Sequence, residues 1–192
     1  MAEQQSSLMR RTVRRTLAAS GIIATALYTW WQAIEGARIS PVLPETRPGE
    51  ALALGRVQLT PLSLQMRPVQ SASTGEKQML VLSAKVENVT GETQPAPFGY
   101  PPRLVTVEAG DAAFGTPEIT LLRDRQPLRQ LQPRMPEEVE ITWHAPESWQ
   151  PEELSLTFYR QQFKLKDNLY GRSNWLGYSA VARMAAMPEP SP

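Results

Sequence analysis

The sequence predicts an all-β chain, an immunoglobulin-like antiparallel β-sandwich preceded by one N-terminal transmembrane helix. Three observations carry that expectation. An uncharged run from Thr16 to Ile34 follows a cluster of arginines. Behind it, apolar and polar residues alternate with period two in short segments separated by turn residues. The chain also holds 18 prolines, which break helices and settle at strand edges and turns.

Composition bounds the function classes. The 192 residues suit one domain of about 130–150 residues with an anchor and tails. Twenty basic against 19 acidic residues leave a net charge of +1, so no global field attracts nucleic acid, and no nucleic-acid partner is expected. The absence of cysteine excludes disulfides, thiolate metal sites, iron–sulfur clusters and cysteine nucleophiles. His144 is the one histidine, which rules out a His-rich metal site within one chain.

Taken in order, residues 1–15 read as a cytoplasmic basic tail carrying Arg10, Arg11, Arg14 and Arg15. Residues 16–36 read as a signal anchor in contact with membrane lipid. A bilayer core of about 30 Å needs about 20 helical residues, which this run just supplies. Arginines ahead of it hold the N-terminus in the cytoplasm, and Tyr28, Trp30 and Trp31 mark the outer interface. Gly21, Ser20 and Thr25 give the helix a small-residue face suited to close packing on another helix. The alternative is a signal peptide cleaved after Ala26, since Ala24-Thr25-Ala26 follows the apolar stretch Leu17 to Ile23. Both routes place the remaining chain on the periplasmic or extracellular side of the inner (plasma) membrane. Val13-Arg14-Arg15-Thr16-Leu17 loosely matches a twin-arginine signal but lacks its usual flanking residues.

Residues 37–50 form a proline-spaced linker, expected to be an extended stalk, and residues 186–192 a flexible tail. The sandwich is placed at 51–185. Its strands are expected near 52–66, 78–89, 103–108, 118–122, 128–132, 137–144, 154–165 and 178–184. The clearest is Gln78 to Val89, where Leu80, Leu82, Ala84 and Val86 share one face. Turn signals separate the strands, among them Thr90-Gly91, Gly99-Tyr100-Pro101-Pro102, Ala109-Gly110-Asp111 and Asp167-Asn168. A small barrel fits the same pattern.

Two segments also carry a resemblance. Residues 79–90, MLVLSAKVENVT, are a hydrophobic strand ending in an asparagine before a Thr/Gly turn. Leu131-Gln132-Pro133, then Val139 to Trp143 and Pro146, repeat the order Leu-x-Pro, apolar strand, proline. Together they resemble the telokin-like, immunoglobulin-like domains of membrane-anchored bacterial envelope proteins over about residues 50–183. The glycine usual after the proline of that motif is replaced by Arg134. The resemblance implies a sandwich that binds or assembles, and it implies no shared chemistry.

No phosphate loop, G-x-S-x-G elbow or H-E-x-x-H motif occurs. His144 falls at the end of a strand, out of phase with Trp143, where an exposed histidine is ordinary. Glu137-Glu138 sit on opposite strand faces and so do not form an acid/base couple. No cofactor, metal or catalytic residue is expected. Asn88-Val89-Thr90 reads as a turn. Two loops could bind: Pro95 to Pro102, with Phe98 and Tyr100, and Lys166 to Leu176, with Tyr170, Arg172 and Trp175. Aromatic and arginine side chains dominate interface hot spots. The expected function is a membrane-anchored protein-interaction module with a protein partner in the envelope, such as an accessory subunit of a transport complex. The alternative is a periplasmic domain for a small molecule or glycan.

Overall fold

The computed structural model describes residues 25–35, 42–69, 77–146, 149–150, 153–166, 171 and 174–190. The chain divides into two units, Met1–Val42 and Leu43–Pro192. In the first, residues 25–35 form a helix. It exposes Leu27, Tyr28, Trp30 and Trp31, and Gln32 donates to the Tyr28 hydroxyl at 2.8 Å. Residues 16–24 and 36 of the expected anchor, and all four arginines of the basic tail, lie outside the described residues. Among the described residues no helix is long and apolar enough to cross a membrane.

The second unit is a β-sandwich. Its strands are β1 (Leu52–Ala53), β2 (Val57–Val69), β3 (Lys77–Asn88), β4 (Gln94–Pro95), β5 (Val105–Glu108), β6 (Glu118–Leu121), β7 (Gln130–Leu131), β8 (Pro136–His144), β9 (Leu154–Lys164), β10 (Asn174–Ala186) and β11 (Glu189–Pro190). One sheet runs β1-β2-β3-β8-β6, with β11 beside β2. The other runs β10-β9-β5, and β4 pairs with β7 at one end. All these pairings are antiparallel except β11 with β2.

The two sheets meet over a core built by strand alternation. Leu80, Leu82, Ala84 and Val86 of β3 are buried as their shared phase predicts, opposite Trp143, Ile141, Val139 and Glu137 of β8. Leu156 and Phe158 of β9 and Met184 of β10 join the same core from the other sheet. Trp143 lies inside with about 1% of its surface exposed, as a core strand residue should.

Several boundaries differ from the sequence pattern. The strand expected over 52–66 is a hairpin, because Gly55 turns at φ +91° and β1 folds back on β2 with Leu52 opposite Leu59. Within β2 the register shifts between Pro61 and Ser63, where the proline has no N–H to give the ladder. Residues 43–50, read as linker, pack in the folded unit instead. Thr46 N–H donates to Arg183 O and Arg183 N–H to Pro44 O, both at 2.9 Å. The tail expected to be loose from residue 186 supplies β11. These two segments thus cover parts of the backbone edges of β10 and β2 that would otherwise be open to pairing.

On the outer face of the larger sheet, Glu140 is almost fully buried between Arg67 and Arg125. Arg67 donates to both carboxylate oxygens, at 3.1 and 3.3 Å. Those hydrogen bonds hold the Glu140 carboxyl below its ordinary range, against the opposing pull of desolvation.

Candidate binding end of the sandwich

The loop from β4 to β5 is shaped by backbone hydrogen bonds, two within it and one to Arg129. Ala96 N–H donates to Arg129 O (3.0 Å), Gly99 N–H to Ala96 O (2.8 Å) and Arg103 N–H to Phe98 O (2.8 Å). Ala96 and Gly99 adopt positive φ, at +47° and +87°, and the Tyr100–Pro101 peptide is cis. These turns drive Phe98 into the core, 2% exposed, and hold Tyr100 out in solvent, 95% exposed. Between this loop, β6 and residues 127–129 lies a groove of 590 Å³. Pro97, Phe98, Tyr100, Ile119 and Leu128 give it apolar walls, with Glu118 and Arg129 among the polar lining.

A polar network lies next to it. Arg56, delivered by the β1–β2 turn, donates from Nε to Gln161 Oε1 (2.7 Å) and from Nη1 to Gln94 Oε1 (3.0 Å). Gln161 Nε2 donates to the Tyr178 hydroxyl, and Gln94 Nε2 to the Thr90 hydroxyl, both at 2.8 Å. The Arg56 guanidinium sits 6.0 Å from the Trp175 ring centre, and Trp175 packs on Phe163 with centroids 5.1 Å apart. Burial pushes the Arg56 guanidinium below its ordinary value, and the neighbouring Tyr178 phenol acts in the opposite sense. Gly55 is required here twice over. Its φ is +91°, and a Cβ would stand 2.5 Å from Gln161 O. Gly99 is held likewise, since a Cβ there would collide with the Tyr178 hydroxyl.

The candidate residues therefore scatter. Tyr100 is on the groove rim, Phe98 serves the core, and Trp175 is half-buried under Arg56. Trp175 also belongs to β10, paired with Phe163, and not to a loop as expected. Tyr170 and Arg172 lie outside the described residues. Nothing in the sequence pattern marks Arg56, Gln94, Gln161 or Tyr178 as members of one network. Gln161 shares a strand phase with Ser155 and Thr157, and no periodicity separates a buried glutamine there from a solvated one. His144 is exposed at the end of β8, opposite Met79. Among the described residues no group of His, Asp or Glu is arranged to hold a metal.

Asn88 joins the two motifs behind the telokin-like resemblance. Its Nδ2 donates to Glu92 O (2.7 Å) and Leu131 O (3.0 Å), and its Oδ1 accepts from Thr90 N–H (2.9 Å) and the Thr90 hydroxyl (2.7 Å). Arg134, where the motif's glycine is missing, holds φ +58° and donates its N–H to Asn88 O at 2.9 Å.

No family model and no curated protein matches the chain. Among solved structures it is similar to an uncharacterized beta-sandwich protein from Clostridium difficile 630, at 12% identity and a TM-score of 0.46, over 77% of this chain and 97% of that one.

Proposed function

We propose that this chain is a membrane-anchored, extracytoplasmic interaction module, an accessory subunit of an envelope or transport complex. Its sandwich meets a protein partner through the groove beside Tyr100. The observation that carries this reading is Tyr100 itself, 95% exposed on a loop with defined turns, at the rim of an apolar groove. A tyrosine so placed offers a large amphipathic contact area with only two side-chain torsions to order on binding.

Other features support the tether and the family. The charge-free run behind Arg10, Arg11, Arg14 and Arg15 supports an anchor with its N-terminus in the cytoplasm. The exposed Tyr28, Trp30 and Trp31 suit the headgroup layer. The Asn88 hub, tying a Thr/Gly turn to Leu131, supports a telokin-like, immunoglobulin-like domain.

Detergent extraction from native membranes followed by native sizing tests the proposal. The full chain should run in an assembly larger than itself, and Tyr100→Ser should shrink that assembly. A chain that partitions as a soluble cytoplasmic protein, or that runs alone from native membranes, overturns it.

A further inference from the structure

The network around Trp175 contains a charge with no counter-charge among the described residues. Among the described residues no carboxylate pairs with Arg56. Its two acceptors, Gln161 Oε1 and Gln94 Oε1, are neutral. Both amides are held in that orientation, because their own Nε2 groups are engaged by Tyr178 and Thr90. A guanidinium has five N–H donors, and Arg56 gives two of them to described residues, so toward the described residues three remain. Half-buried charges normally have an opposite partner, because desolvation is otherwise uncompensated. Glu140 in this same chain follows that rule with two arginines.

We infer that Arg56 is a receptor for a carboxylate supplied by the partner that seats against Tyr100. Trp175 covers the guanidinium on one side and the glutamines fill part of its edge, leaving in-plane donors. A planar carboxylate matches that fork, whereas a single ammonium or hydroxyl does not. The site is joined to the groove: Arg56 bonds Gln161, Gln161 bonds Tyr178, and the Tyr178 hydroxyl lies against Gly99, which lines the groove. This inference rests on the interaction reading for the source of the carboxylate, though not for the site itself.

The test uses the full chain in detergent micelles, ¹⁵N-labelled in arginine side chains and tryptophan indoles. Sodium acetate is titrated against sodium chloride at constant ionic strength, with sodium phosphate as a separate arm. Acetate should shift the Arg56 Nε–H and Trp175 indole resonances saturably. Arg56→Lys, which keeps the charge but loses the fork, should weaken that binding about tenfold. Gln94→Glu places a carboxylate beside Arg56 within the chain, so a variant whose tryptophan spectrum matches the parent's should lose the acetate response and release the partner. Resonances that do not move with acetate, an unchanged titration in Arg56→Gln, or saturation by phosphate alone would overturn the carboxylate site. A Gln94→Glu chain that loses the acetate response yet keeps its full assembly excludes the partner as the source. An acetate response without any assembly sinks the interaction reading and leaves the site standing.

Discussion

Asn88→Ala is the substitution whose cost follows most directly from the structure. The side chain is fully buried and makes four hydrogen bonds, two given and two received. They fasten the end of β3 to the turn at Thr90 and to β7. At about 1 kcal/mol net per bond, the sum is about 4 kcal/mol. Water can reach the Thr90 and Glu92 groups after truncation, but Leu131 O stays buried, so the expected loss is about 3 kcal/mol. With a urea m-value of about 2 kcal/mol/M, the midpoint should fall by about 1.5 M at constant slope. Urea unfolding of the full chain, followed by tryptophan emission from the buried Trp143 and Trp149, measures it. Asn88→Asp is the internal control. It keeps both acceptor bonds to Thr90 but turns a carboxylate oxygen toward Glu92 O and Leu131 O, so it should be at least as unstable at neutral pH. A loss below about 1 kcal/mol for Asn88→Ala would refute the reasoning.

Three further outcomes follow. Arg134→Gly should stabilise the fold by about 1 kcal/mol, because φ +58° costs an arginine but not a glycine; chemical denaturation reads it. Gly55→Ala should destabilise by about 2–3 kcal/mol, since the added Cβ meets Gln161 O at 2.5 Å in a backbone held at φ +91°. Glu140 has its carboxyl depressed in the fold, so its contribution is complete above the unfolded-chain value and is lost as pH falls toward the folded one. Urea midpoints from pH 7 down to acid should therefore fall less steeply in Glu140→Gln than in the parent, from a lower start at neutral pH.

Much of the fold was legible because period-two alternation is a direct imprint of a half-buried sheet. The phase of Leu80, Leu82, Ala84 and Val86 gave the core face of β3, and Val139, Ile141 and Trp143 gave that of β8. The β1–β2 hairpin was faint in the sequence: the apolar phase changes across Gly55, from Leu52 and Leu54 to Val57 and Leu59, over runs too short to separate two strands from one irregular one. The φ of +91° at Gly55 and the tertiary approach of Gln161 O together show why a glycine sits there. The docked residues 44–46 and 189–190 were hidden for a similar reason, because proline-rich composition reports stiffness and not what a segment lies against. At the candidate site, Tyr100 and Trp175 stood out as aromatics among turn residues. Arg56, Gln94 and Gln161 did not, because a polar residue becomes a site only through partners distant in sequence, and Arg56 and Gln161 are 105 positions apart.

Site-specific photocrosslinking in intact cells tests the interaction surface most directly. A photoreactive residue at position 100, on the groove rim, should yield a discrete adduct with one envelope protein. The same group at position 85, exposed on the outer face of β3, should yield none. Equal adducts at both positions, or none at position 100, would contradict the proposal that the chain meets its partner through this groove.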